Sequence, residues 1–170
     1  NGKVIALDMY EHKIGLINQN AERLHVSDRI ETRVLDAKEA GKAFAPESFD
    51  VIFVDAPCSG LGLMRRKPDI KYVKNAQDFL DLHQEQLRIL DSVSSLLKKG
   101  GRLVYSTCTL TEEENQMTVQ TFIENHAEFA IVPVRSDYLD KKSFTHEGFV
   151  QIYPHDYGTD GFFISCMVKR

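Results

Sequence analysis

Apolar runs that stop at an aspartate recur through the first third of the chain. Lys3 to Asp8 (KVIALD), Ile30 to Asp36 (IETRVLD) and Asp50 to Asp55 (DVIFVD) each gather several apolar residues and end on an acid. Runs of this length predict buried parallel strands. Between the first two, Ile14, Leu16, Ile17, Ala21 and Leu24 recur at near-helical spacing, which predicts a helix over 10–24. A longer helix is predicted over 76–99 from Phe79, Leu82, Leu87, Leu90, Val93 and Leu97, closed by the pair Gly100-Gly101. RLVYSTC (102–108) reads as a fourth strand. Thr111 and Glu114 then have the spacing of a capping box for a helix ending near Asn125. FAIVPV (129–134) and GFFISCMVK (161–169) read as two last strands, while 135–160 shows no period and is expected to lack regular structure.

Strands alternating with helices predict an α/β fold with a mostly parallel sheet flanked by helices. Ligands in such sheets sit at the carboxyl ends of the strands, where Asp8, Asp36, Asp55 and Cys108 all fall. The 170 residues suit one domain, with 42% hydrophobic and 27% charged residues. No apolar run approaches the roughly 18 residues of a membrane span, so a cytoplasmic location is the expectation. Cys58, Cys108 and Cys166 show no CxxC spacing, which favours reduced thiols over a disulfide framework or a metal site. A net charge of −4 excludes a generally basic nucleic-acid coat, so any polyanion contact must be local. The place for one is LMRRKPDIKYVK (63–74), where Arg65, Arg66, Lys67, Lys71 and Lys74 face Asp69 alone.

Each candidate has a plain alternative. Asp8 suits ribose hydroxyls or a helix N-cap; Asp36 suits a base amine or a cap. No GxGxxG or Walker loop is present. In Asp55-Ala56-Pro57-Cys58 the proline stiffens the turn and holds carboxylate and thiol in a fixed relation, though a cysteine there can also be inert packing. Cys108 precedes a predicted helix N-terminus, a site that favours thiolate. Cys166 reads as core, the basic run also suits a solvated loop, and His12, His25, His83 and His126 read as surface. His155 in PHDYGTDGFF stands beside a motif but has no evident partner.

Together DAPCSGLG, RRKPDIKY, KKGGRLVYSTCTLTEEEN and PHDYGTDGFF resemble the RNA (cytosine-5)-methyltransferases, most closely the bacterial type that acts on ribosomal RNA of the small ribosomal particle. The motifs span residues 50–163, and Asp8 and Asp36 extend the likeness to the N-terminus. The resemblance implies a Rossmann-like fold, S-adenosylmethionine as cofactor and RNA, ribosomal above all, as substrate. It places the cofactor ribose on Asp8, the adenine by Asp36, the cofactor and base pocket at Asp55, the nucleophile at Cys108 and product release at Cys58. Arg65, Arg66, Lys67 and Lys71 would hold RNA. The family's first strand and Gly-rich loop would precede residue 1, so the chain is expected to be the C-terminal part of one catalytic domain, inactive alone.

Two thiols suit that chemistry. Cytosine C5 is a poor nucleophile until a thiolate adds to C6 and makes an enamine. A protonated Asp55 would stabilise the adduct through N3, and a second thiol suits the elimination that follows. The target base must be unstacked. Alternatives within the class are a Pro-Cys nucleophile at Cys58, as in DNA cytosine-5 enzymes, and a transfer RNA substrate. Outside it stand a non-catalytic RNA-binding or scaffold module and a thiol redox protein.

Overall fold

The computed structural model describes residues 2–170. The first apolar runs form β1 (Val4–Asp8) and β2 (Ile30–Val34), joined by α1 (Glu11–Arg23) and paired in parallel with Asp8 beside Val34. A short helix α2 (Ala40–Ala43) leads to β3 (Phe49–Asp55). The long helix α3 (Ala76–Ser94) crosses over to β4 (Leu97–Thr107), which pairs in parallel with β3. After α4 (Gln116–Asn125) come the short strands β5 (Phe129–Ile131) and β6 (Val150–Ile152), the single-turn α5 (Pro154–Tyr157) and β7 (Phe162–Lys169).

The α/β class follows the sequence pattern, but the strands form two sheets: β1 and β2 pair alone in parallel, and the five-stranded sheet of β3, β4, β7, β5 and β6 is mixed. β7 runs antiparallel to β4 on one edge and to β5 and β6 on the other. Alternation sets its faces: Leu103, Tyr105 and Thr107 of β4 and Phe163, Ser165 and Met167 of β7 are buried under the helices. α3 turns Leu87, Leu90 and Val93 onto that face, and α4 adds Val119 and Phe122, whose ring packs edge-on against Phe129 at 5.1 Å. β3 is apolar on both faces, the pattern of a strand covered on two sides. Ile52 and Val54 meet the core, while Val51 and Phe53 lie outside, Phe53 at 77% exposure. Among the described residues no helix is long and apolar enough to cross a membrane.

Two predicted boundaries move. α3 stops at Ser94, and Gly100-Gly101 do not close it. Leu97 is instead the first residue of β4, opposite Phe49, and the next ladder pair is Val51 with Arg102. The extra residues of β4 bulge out between these pairs, and Gly100 takes the left-handed conformation (φ +77°) that the bulge requires. The segment 135–160, expected to be irregular, contains β6 and α5, with Phe149 and Val150 fully buried. Three-residue strands are too short to declare a period.

Candidate active site

The carboxyl ends of β3 and β4 lie side by side, Asp55 opposite Ser106, whose hydroxyl donates to the Asp55 carboxylate at 3.3 Å. The loops leaving these two ends bring Cys58 and Cys108 together, with Sγ to Sγ at 3.3 Å. Two thiols so close share one hydrogen bond, so one must donate. Cys58 keeps its proton: its bond to Cys108 and its deeper burial both push its pKa up. Cys108 accepts that bond and is pulled down to about 7, against burial and the nearby charge of Asp55. The helix dipole expected to help is displaced, because α4 begins only at Gln116. The pull comes from the second thiol.

The reason α4 starts late is Glu114. The expected capping box does not form: Thr111 Oγ1 donates to the Glu114 carboxylate at 2.8 Å rather than accepting from the Glu114 amide, and that carboxylate turns inward and is fully buried. It accepts from the Ser59 amide at 2.8 Å, the Ser59 hydroxyl at 2.5 Å and Gln86 Nε2 at 3.2 Å. Gln86 also donates to the Pro57 carbonyl at 2.9 Å, tying α3 to the Pro-Cys turn. The neighbouring Asn115, equally buried, accepts from Thr107 and donates to the Thr109 carbonyl, while Tyr105 donates to the Glu114 carbonyl at 2.6 Å. His83 is not a surface residue. It is buried on α3, with Nδ1 at 2.8 Å from Thr118 Oγ1 and 3.0 Å from the Glu113 carbonyl. Its phase with Leu87 and Leu90 is the signal that could have found it. No local signal marks Ser59, Gln86 or Asn115, whose partners are distant in sequence.

A third loop joins the pair at Gly62. Its amide donates to the Cys108 carbonyl and its carbonyl accepts from Gly161, both at 2.9 Å. Arg66 forks onto Asp160 at 2.9 and 2.5 Å, holding that carboxyl below its usual range. The motif 65–72 is therefore stapled to GTDGFF. Arg65, Lys67 and Lys71 carry no such staple, and Lys71 Nζ lies 4.9 Å over the Tyr72 ring.

Asp8 and Asp36 stand at and just beyond the ends of β1 and β2, and both make local turns. Asp8 Oδ1 accepts from the Tyr10 amide and Asp36 Oδ1 from the Lys38 amide, each at 2.9 Å. Asp36 is also 3.4 Å from Lys38 Nζ. Asp8 Oδ2 has no partner among the described residues. Cys166 is partly rather than fully buried on the outer face of β7, with its pKa raised by that burial. His155 is exposed and stacks on Tyr153 at 5.6 Å, away from the thiols' hydrogen-bond network.

Residues 1–168 match the family described as 16S rRNA methyltransferase RsmB/F. The probable ribosomal RNA small subunit methyltransferase B of Bacillus subtilis is 46% identical over 171 residues, covering 99% of this chain and 38% of that protein. The chain thus spans less than two fifths of that relative. Among solved structures, PH0851 superposes with a TM-score of 0.90 at 30% identity, over 99% of this chain and 37% of that one. NSun6 from Pyrococcus horikoshii, in a structure with SFG, gives a TM-score of 0.80 at 26% identity, over 99% and 42%.

Proposed function

This chain belongs to the 16S rRNA methyltransferase RsmB/F family, and we propose that it carries the two thiols by which the protein methylates C5 of a cytosine in ribosomal RNA. The observation that carries the reading is the asymmetric pair, Cys108 drawn towards thiolate by a part-buried, protonated Cys58 at 3.3 Å. Cys108 adds to C6 of the flipped base, and the electrons pass to C5 as an enamine. S-adenosylmethionine, when bound, supplies an electrophilic methyl group. The chain's residues fit that cofactor: Asp8, with one carboxylate oxygen left over from its turn, would take the ribose hydroxyls, and Asp36, near the end of the neighbouring strand, would lie by the adenine. Asp55 stands at the end of β3, where its charge acts on Cys108, and would line the cofactor and base pocket. Water then takes the proton from C5, the C–H electron pair restores the C5–C6 double bond as the C6–S bond breaks, and Cys58 returns its hydrogen bond to the departing Cys108 sulfur, stabilising it as thiolate.

The test is to incubate the protein that carries this chain with 16S ribosomal RNA and methyl-labelled S-adenosylmethionine, and then to separate the nucleosides. 5-Methylcytidine is the expected product; label in any other nucleoside overturns the reading. Because only the thiolate adds to C6, kcat/KM should rise about tenfold per pH unit below the Cys108 value of about 7 and level off above it. A profile flat from pH 5.5 to 8.5, about three units, would remove Cys108 from the rate equation.

The basic run supplies the RNA contact. Arg65, Lys67 and Lys71 are exposed and free to meet phosphates, whereas Arg66, exposed too, already pairs its charge with Asp160. Lys67→Ala and Lys71→Ala are each expected to lower the slope of log K against log salt by about 1. Arg66→Ala should leave that slope close to wild type. Fluorescence anisotropy across a potassium chloride series reads both results.

A further inference from the structure

Cys58 and Cys108 lie on separate loops, and a thiol pair at 3.3 Å needs both loops fixed. The residues that fix them are the next ones along each chain segment. Ser59 follows Cys58 and Thr109 follows Cys108, and their hydroxyls are 2.7 Å apart. Both are buried, and both lead to Glu114. One oxygen of that carboxylate takes the Ser59 and Thr111 hydroxyls, at 2.5 and 2.8 Å, with Thr109 at 3.3 Å. The other takes the Ser59 amide at 2.8 Å and Gln86 at 3.2 Å. A fully buried carboxylate saturated with donors from three segments is costly to desolvate and rigid once satisfied.

We infer that Glu114 is the positioning residue of the thiol pair: its carboxylate clamps Ser59 to Thr109 and thereby holds the Cys58 S–H in donating distance of Cys108. It touches neither thiol through a hydrogen bond and acts through the two loops. The inference rests on the proposed role of the pair, but the geometry it concerns is measurable without methyl transfer.

Glu114 also has a direct electrostatic effect of the opposite sign, which makes the test sharp. The titratable groups acting on Cys108 are Cys58 from the loop after β3, Asp55 at the end of β3, and Glu114 from the loop after β4; Tyr105 of β4 faces Cys58. As a bare negative charge, Glu114 works against the Cys108 thiolate. Removing only that charge would lower the pH midpoint of Cys108. Removing the clamp would raise it, because the Cys58 donor is lost.

The experiment is iodoacetamide alkylation of the protein that carries this chain against pH, with Cys58 and Cys108 followed by peptide mass spectrometry. Wild-type Cys108 should show its midpoint near 7. In Glu114→Gln the new amide meets donors where a carboxylate accepted, and the Cys108 midpoint should rise by about one unit or more towards that of an ordinary thiol. A midpoint unchanged or lowered in a variant with wild-type circular dichroism overturns the inference. If Glu114→Gln does not fold, Ser59→Ala decides: it keeps the charge and removes the hydroxyl link, and it too should raise the midpoint, a wild-type value overturning the proposal. A role confined to stability would lower the unfolding midpoint in urea and leave the alkylation profile in place. Should the protein prove to methylate by another nucleophile, the alkylation result would stand unaffected.

Discussion

Cys108→Ala is expected to reduce methyl transfer by about 10,000-fold or more, because without a thiolate at C6 the C5 position of cytosine has almost no reactivity to lend. Cys58→Ala is expected to do something different. Addition to C6 and methylation should still occur, but the leaving sulfur of Cys108 would lack the partner that now sits 3.3 Å away. The protein should therefore accumulate as a covalent RNA complex, visible as a shifted band on a denaturing gel. The double variant should show neither band nor product. The two thiols also predict the order of reactivity: Cys108, less buried and drawn to about 7, should alkylate well before Cys58, whose proton is held. If Cys108→Ala trapped RNA and Cys58→Ala formed no adduct, the roles would be exchanged and the Pro-Cys cysteine would be the nucleophile.

Gly62→Ala is expected to be the most damaging single methyl group near the site. A Cβ at this position would lie 2.7 Å from the Cys108 carbonyl oxygen and 2.8 Å from the Gly161 carbonyl carbon, closer still to its oxygen. These neighbours are backbone, so no side-chain rotation relieves the contact. Moving them breaks the two 2.9 Å hydrogen bonds by which Gly62 joins the Cys108 loop to the loop before β7. The expected cost is about 3 kcal/mol, at the upper end for overpacking, with loss of those two bonds included. Urea denaturation followed by fluorescence or circular dichroism would measure it, and a loss below about 1 kcal/mol would mean the three loops are not held as tightly as the distances indicate.

Much of the fold is legible in the sequence because runs of apolar residues mark strands directly. Ile30–Val34, Phe49–Asp55 and Phe162–Lys169 all lie where the runs predict. The departures have definite physical causes. Leu97 stays in phase with Leu90 and Val93, so periodicity alone carries α3 past Ser94; the pairing of Leu97 with Phe49 across the sheet overrides it. The spacing of Thr111 and Glu114 is that of a local capping box, but the bond between them runs from hydroxyl to carboxylate and caps no helix, since α4 begins at Gln116. The stronger claim on Glu114 comes from Ser59 and Gln86, which no local pattern could connect to it. In the sequence Arg66 is equivalent to Arg65 and Lys67; Asp160, at a sequence separation of 94, singles it out.

The sequence by itself determined the main strands and the long helices, their order, and that two cysteine motifs fall at strand ends on one edge of the sheet, but not the short α2, β6 and α5. Periodicity and strand termini are local properties, and local residues express them. Only the tertiary structure decided that Cys58 and Cys108 touch, that Glu114 registers their loops, and which sulfur keeps the proton. The charge state of a thiol pair depends on a separation and a difference in burial between groups 50 residues apart, and packing alone sets both.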